Sequence, residues 1–240
     1  MKKTCLIIIG ILSVISSNGQ TNKFSIGLIG SSDLYNYRFN QNELVDIKYN
    51  SIINYSAGIS VQYNLNEKLK TKTGLLYSKK DFTTDINWQL NPDGIPDPEF
   101  NKESNMKLAY LEVPVLVSHK FINGNNVSIF ASFGLITSFL IKEKEIDIMQ
   151  DGKEKESDFW KTLYRTEFNP ILFNIDFEIG LNYYISETVF LSIEPYYRYA
   201  LNKISDEILK SNPMSYGLKL GLNLKMNSES KSIENKNASR

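Results

Sequence analysis

Strict alternation of apolar and polar residues over 214–226 constrains the fold of this chain more than any other feature of its sequence. A helix would scatter these apolar side chains around its circumference, whereas a strand places every second side chain on one face. The segment therefore predicts a β-strand with one apolar and one polar face. Its apolar members are Met214, Tyr216, Leu218, Leu220, Leu222, Leu224 and Met226.

The same period recurs along the chain. It is regular over 53–65, 173–185 and 189–201, and less regular over 23–37, 69–80, 107–120 and 127–141. A strand needs about 9–11 residues to cross a bilayer at a tilt, and each segment reaches that length. The predicted connections alternate between short ones (66–68, 122–126 and 186–188) and long ones (38–50, 85–105, 142–170 and 202–213). Short turns on one side and long loops on the other are typical of outer-membrane barrels.

We therefore predict an all-β fold over 20–226, a closed antiparallel up-and-down transmembrane β-barrel. It would have about eight strands, short periplasmic turns and long outer loops, and its location would be the cell outer membrane. Residues 1–19 are predicted to be a signal peptide, because two lysines precede a short apolar run. The polar segment 227–240 is predicted to be a disordered tail. The only cysteine, Cys5, lies in the predicted signal peptide, so no internal disulfide is expected in the exported chain.

Alternation alone does not say which face meets lipid. A soluble, periplasmic lipocalin-like barrel that binds an apolar ligand would also alternate, with its apolar face inward. The polar face of this chain combines glycines with acids and bases, which suits a narrow lumen that contains ion pairs. We therefore favour the membrane barrel and predict an ion-pair network in its lumen. The network would comprise Glu112, Asp176, Glu178, Glu194, Arg198 and Lys219.

The predicted network has consequences for transport. The interior of a barrel of about eight strands is just wide enough for its own side chains. Paired charges that cross such an interior would plug it. Arg198 is the expected centre of the network, because its planar guanidinium can hold two carboxylates at once.

Several strings resemble those of a known family. The string LAYLEVPVLV at 108–117 resembles a strand of the PorT-like outer-membrane β-barrel family, in the wider group of porin family proteins. Residues 130–135 and 192–199 are similar to two further strands of that family, and 214–226 to its closing strand. The resemblance implies an outer-membrane barrel and implies no particular activity.

Few residues suggest catalysis or metal binding. The loop string NPDGIPD resembles a calcium-binding loop, in which Asn91, Asp93 and Asp97 would supply side-chain oxygens. The same string also fits an ordinary turn, so these residues are only a weak calcium candidate. His119 is the only histidine, and its position in the sequence ties it to no serine or acid. We expect neither catalytic residues nor a cofactor.

The expected function is therefore that of a non-enzymatic barrel surrounded by outer-membrane lipid. Its outer loops or periplasmic face would bind another envelope protein or an extracellular ligand, in binding or in envelope assembly or secretion. An outer-membrane lipid-modifying enzyme and the soluble barrel are the alternatives. Nucleic acid is not an expected partner, because 27 basic residues balance 27 acidic ones.

Overall fold

The computed structural model describes residues 24–37, 45–88, 101–158, 168–205 and 212–226, and these residues form strands and their connections. Among them, no helix is long and apolar enough to cross a bilayer. The predicted signal peptide and tail lie outside the described residues. The strands are β1 (Phe24–Asn36), β2 (Val45–Asn50), β3 (Ile53–Asn64), β4 (Leu69–Lys79), β5 (Phe82–Trp88), β6 (Asn101–Asn123), β7 (Val127–Met149), β8 (Glu154–Glu156), β9 (Ile171–Tyr184), β10 (Val189–Ala200) and β11 (Met214–Met226).

Eight of these strands close into a ring in the order β1-β3-β4-β6-β7-β9-β10-β11. The first and last strands close it by antiparallel pairing from Phe24 with Met226 to Asn36 with Met214. Closure matters because a barrel leaves no unpaired sheet edge in lipid. The predicted closed antiparallel barrel is confirmed.

The apolar face of the barrel points outward. On β11, for example, Leu220 is 53% exposed, whereas its neighbour Lys219 is only 5% exposed. The same division holds on β9, where Phe177 and Ile179 face outward and Glu178 is buried. An apolar outer wall around a polar interior suits lipid as the surrounding solvent, and it is the reverse of a soluble barrel that binds an apolar ligand.

Short turns lie at one end of the barrel. They span 65–68, 124–126 and 185–188, at the same end as Phe24 and Met226. By the usual orientation of such barrels this end is periplasmic and the other end is the outer one.

Beyond its outer end, the barrel continues as a sheet. β5 pairs with β6 at Met106, directly beyond the last pair of β4 with β6 at Ala109. β2 pairs with β5, and β8 pairs with β7, so the outer sheet has the order β2-β5-β6-β7-β8. The prediction of long loops over 38–50, 85–105 and 142–170 is therefore wrong in part, because strands occupy portions of each. These charged segments adopt strand conformation because their backbones pair with a neighbouring strand. Their sequences have no apolar face that would have predicted a strand.

Pro114 lies within β6 without a bulge at its position, although a proline inside a strand often marks one. The register between β6 and β7 runs unbroken there and shifts at Ala109/Tyr110 instead. Pairing with β4 skips a step between Thr73 and Leu76, opposite the proline, because proline has no N–H to donate. The strand therefore accommodates the proline by losing ladder contacts on one side without changing register.

Candidate functional site

The lumen is the most distinctive chemical feature of this barrel. All six charged residues predicted to face inward are buried there, with exposures between 0 and 5%. They come from β6, β9, β10 and β11, and strand parity alone places them inside. They are Glu112, Asp176, Glu178, Glu194, Arg198 and Lys219.

Arg198 joins two walls of the barrel. Its Nη1 lies 3.3 Å from Glu112 Oε2, and its Nε lies 3.3 Å from Asp176 Oδ1. Asp176 is on the neighbouring strand β9, whereas Glu112 is on β6, which does not pair with β10. The guanidinium therefore crosses the lumen and holds two carboxylates, the geometry for which arginine is suited.

Lys219 and Lys72 connect the remaining acids. Lys219 Nζ contacts Glu178 and lies 3.7 Å from Asp176 Oδ2. Lys72 Nζ lies 2.7 Å from Glu178 Oε2 and also contacts Glu194. Glu194 is the backbone partner of Lys219, yet its ion pair is with Lys72. The pairs thus run across the lumen as well as between adjacent strands.

Three buried lysines of this network are missing from the sequence prediction. Lys72 is described above, and Lys80 Nζ lies 2.6 Å from Glu112 Oε1. Lys70 Nζ lies 2.9 Å from the amide oxygen of Gln62. All three alternate in step with Gly74, Leu76 and Ser78, the inward-facing residues of β4. This alternation could have identified the lysines as inward-facing. The signal was weak because Thr71 and Thr73 on the outward face are not apolar.

Towards the periplasmic end the lumen becomes less charged. Gln62 donates to Asn223 Oδ1 at 3.0 Å, and Lys70 Nζ stands 4.0 Å from the centre of the Phe130 ring. The Phe130 ring covers Gly180 on the next strand, where a Cβ would come within 2.2 Å of the ring. A glycine is required there because the aromatic ring fills the space of a side chain.

Towards the outer end an apolar cluster lies above the charges. It packs around Tyr35, whose hydroxyl accepts a hydrogen bond from Lys80. A cavity within the charged zone measures about 20 Å³, roughly the space of one water molecule. The described members of the cluster are Tyr35, Tyr37, Phe82, Met106, Leu108, Tyr110, Phe168, Leu172 and Ile204.

Other candidate residues are not assembled into a site. His119 lies on the outward face near the periplasmic end, paired in the ladder with Leu69 and Ala131. The calcium candidates Asn91, Asp93 and Asp97 lie outside the described residues. In the part of the chain that the structure describes, no cluster of three or more histidine, cysteine or acidic residues could hold a metal ion.

A comparison of the sequence with known families agrees with the closed ring, the apolar exterior and the charged interior. Residues 16–206 match the model of the family described as outer membrane protein beta-barrel domain. The chain belongs to this family. It is therefore a β-barrel protein of the bacterial outer membrane, and the soluble periplasmic alternative is wrong because the apolar face of the wall points outward.

Solved structures that are similar to this chain include other outer-membrane barrels. The outer membrane protein OprG from Pseudomonas aeruginosa is 11% identical, with a TM-score of 0.52 over 87% of this chain and 99% of OprG. Neisserial surface protein A is 14% identical, with a TM-score of 0.47 over 86% of this chain and 99% of its own. The attachment invasion locus protein Ail of Yersinia pestis is 11% identical, with a TM-score of 0.40 over 85% and 99% of the two chains. The likeness to OprG supports the fold and nothing further.

No curated protein sequence matches this chain. Its function is therefore inferred from the lumen and the outer sheet.

Proposed function

We propose that this family member is a non-enzymatic, non-conducting barrel that binds a partner through its outer face. The observation that carries the proposal is the buried ion-pair network of the lumen, in which Arg198 and three lysines pair with four buried carboxylates. A barrel that conducts ions or small solutes needs a continuous aqueous path. Here charged side chains occupy that path.

Three features support a closed lumen. The interior of an eight-stranded barrel is only wide enough for side chains. The network takes side chains from β4, β6, β9, β10 and β11, and its ion pairs cross the lumen between them. The apolar cluster around Tyr35 lies above it at the outer mouth. Water that entered from either end would have to break buried ion pairs, which are costly to separate in a narrow interior.

The outer sheet supports the binding role. β6 extends from Ala109 back to Asn101, roughly 25 Å along the strand beyond the barrel wall at about 3.4 Å per residue. A closed barrel needs no such extension in order to stay in the membrane. The extension presents ordered side chains outside the bilayer, where another envelope protein or an extracellular ligand would bind.

The string LAYLEVPVLV at 108–117 favours a place among the PorT-like members of the family. No role in secretion follows from these residues. A lipid-modifying activity lacks support, because His119 has the apolar residues Leu69 and Ala131 as its ladder neighbours.

Conductance tests the closed lumen directly. We expect the purified barrel to give no steady channels in planar lipid bilayers, because buried side chains block the path. Current steps should be recorded over a range of voltages, with a known porin inserted afterwards to show that the bilayer reports channels. Reproducible steps of uniform size from the purified barrel would contradict the proposal.

A further inference from the structure

Lysines stand at the outer boundary of one wall of the barrel. Lys79 lies at the end of β4, Lys107 in the outer part of β6, and Lys142 in the outer part of β7. Lys107 and Lys142 are exposed, and the Lys79 side chain is 30% exposed. These three residues are called the lysine belt below.

The backbone pairing brings the lysine belt together on one face. Lys79 pairs with Ala109, and Ala109 pairs in turn with Lys142. Adjacent strands are about 4.8 Å apart, so the Cα atoms of Lys79 and Lys142 are about 10 Å apart. Lys107 lies two residues from Ala109 and therefore points to the same side of the sheet.

The lysine belt begins where the apolar wall ends. Tyr77 on β4 and Ile141 on β7 are exposed outward-facing residues that directly precede it towards the bilayer. The Nζ atom of Lys79 stands 5.0 Å from the centre of the exposed Tyr55 ring. Aromatic residues of outer-membrane barrels mark the interface between hydrocarbon and headgroups. The belt is therefore at the level of the headgroups of the outer leaflet.

Among the described residues, one of the three lysines of the belt forms an ion pair. Lys79 Nζ lies 3.6 Å from Asp81 Oδ2. The neighbouring Lys144, opposite Lys107 on β7, lies 3.1 Å from Glu156 Oε2. By contrast, Lys107 and Lys142 have no carboxylate within 4.0 Å among the described residues.

In the part of the opposite wall that the structure describes, there is no such belt. The described residues directly beyond its apolar band include Asn36 on β1, Asn202 after β10 and Asn212 before β11. Lys203 is the only cation among the described residues there. Within the described ranges, the positive charge at the outer boundary is thus concentrated on the wall formed by β4, β6 and β7.

We propose that the lysine belt binds the phosphate groups of anionic lipid headgroups in the outer leaflet. Lysines whose Cα atoms are about 10 Å apart can engage more than one phosphate of the same headgroup or of neighbouring ones. Lysines next to a bilayer surface attract anionic lipid, each adding to the affinity. Because the belt lies at the level of the headgroups, the bound phosphate belongs to membrane lipid rather than to free phosphate in solution. The binding would orient this wall towards phosphorylated lipid.

Native mass spectrometry of the barrel released from detergent micelles tests this proposal. The micelles should contain either a lipid A that carries two phosphates or phosphatidylcholine. We expect the wild type to retain lipid A preferentially and the double variant Lys107→Gln/Lys142→Gln to retain about fivefold less. The control, Lys48→Gln/Lys203→Gln, removes two charges elsewhere and should retain lipid A like the wild type.

One further variant and two outcomes make the test decisive. Lys107→Arg/Lys142→Arg keeps both charges and should keep lipid A binding, while thermal unfolding of each variant shows that the barrel is folded. Equal retention of lipid A by the Gln variant and the wild type would overturn the proposal. So would equal retention of phosphatidylcholine and lipid A by the wild type.

Discussion

Replacing Arg198 with alanine is expected to lower the free energy of unfolding of the barrel by about 3–5 kcal/mol, because it leaves buried carboxylates without their cation. The guanidinium is 3.3 Å from oxygens of both Glu112 and Asp176 in a part of the lumen that solvent barely reaches. Urea unfolding in lipid vesicles measures the change. Lys153→Ala is a suitable control, because Lys153 pairs with Asp151 on the exposed surface and should leave the unfolding midpoint unchanged.

A second substitution shows whether the loss comes from unpaired charge. Without Arg198, Glu112 keeps Lys80 at 2.6 Å and Ser138 at 3.1 Å, whereas Asp176 keeps only Lys219 at 3.7 Å. The double variant Arg198→Ala/Asp176→Asn should therefore recover part of the lost stability. An Arg198→Ala barrel as stable as the wild type would refute the network. A double variant no better than the single one would show that lost packing, rather than charge, causes the effect.

Replacing Leu220 with arginine is expected to destabilise the barrel by about 2–4 kcal/mol, the usual effect of a charge on the lipid face at mid-bilayer. Leu220 faces outward near the middle of β11, where Gly30 and Ile193 are its neighbours on the adjacent strands. Met226→Arg is the matched control. It lies on the same strand and face, at the periplasmic end, where the expected loss is only about 0–1 kcal/mol.

The free energy of unfolding of both arginine variants should be measured in the same vesicles. The comparison separates the effect of depth in the bilayer from the effect of introducing arginine into the strand. Equal losses at positions 220 and 226 would indicate a general effect of arginine on the strand. A Leu220→Arg barrel that folds as well as the wild type would show that the outward face of β11 does not meet hydrocarbon.

The parts of the fold that could be predicted from sequence are those where both faces of a strand are chemically distinct. On β11, Lys219 between Leu218 and Leu220 leaves one choice of register, since a shift by one residue would place lysine in lipid. The same contrast between faces placed Asp176, Glu178 and Arg198 inside. Alternation also predicted the number of ring strands and the short turns.

The missed residues lie where this contrast fails. On β4, Lys70 and Lys72 alternate with threonines rather than with large apolar residues. The sequence therefore did not indicate which face of this part of the strand meets lipid. Lys80 follows the last residue of that strand and contacts Glu112, which is distant in sequence. Which lysine pairs with which acid depends on contacts across the lumen. No pattern along a single strand contains that information.

The outer sheet could not be predicted for a related reason. Outside the membrane, water surrounds a strand on one or both faces, so no apolar alternation is required of it. The string Lys142–Glu145 has the composition of a solvated loop, yet its backbone pairs with β6 throughout.

The orientation of the barrel wall is the central claim, and quenching of a fluorophore from within the lipid tests it most directly. A dye should be attached to single cysteines placed in turn at Leu218, Leu220, Leu222 and Leu224, with the partly exposed, inward-facing Asn64 and Lys225 as controls. Brominated lipids should quench the dye at all four leucine positions and most strongly near the middle of the bilayer. They should leave the two inward positions unquenched. Strong quenching at the inward positions, or none at the leucines, would contradict the account.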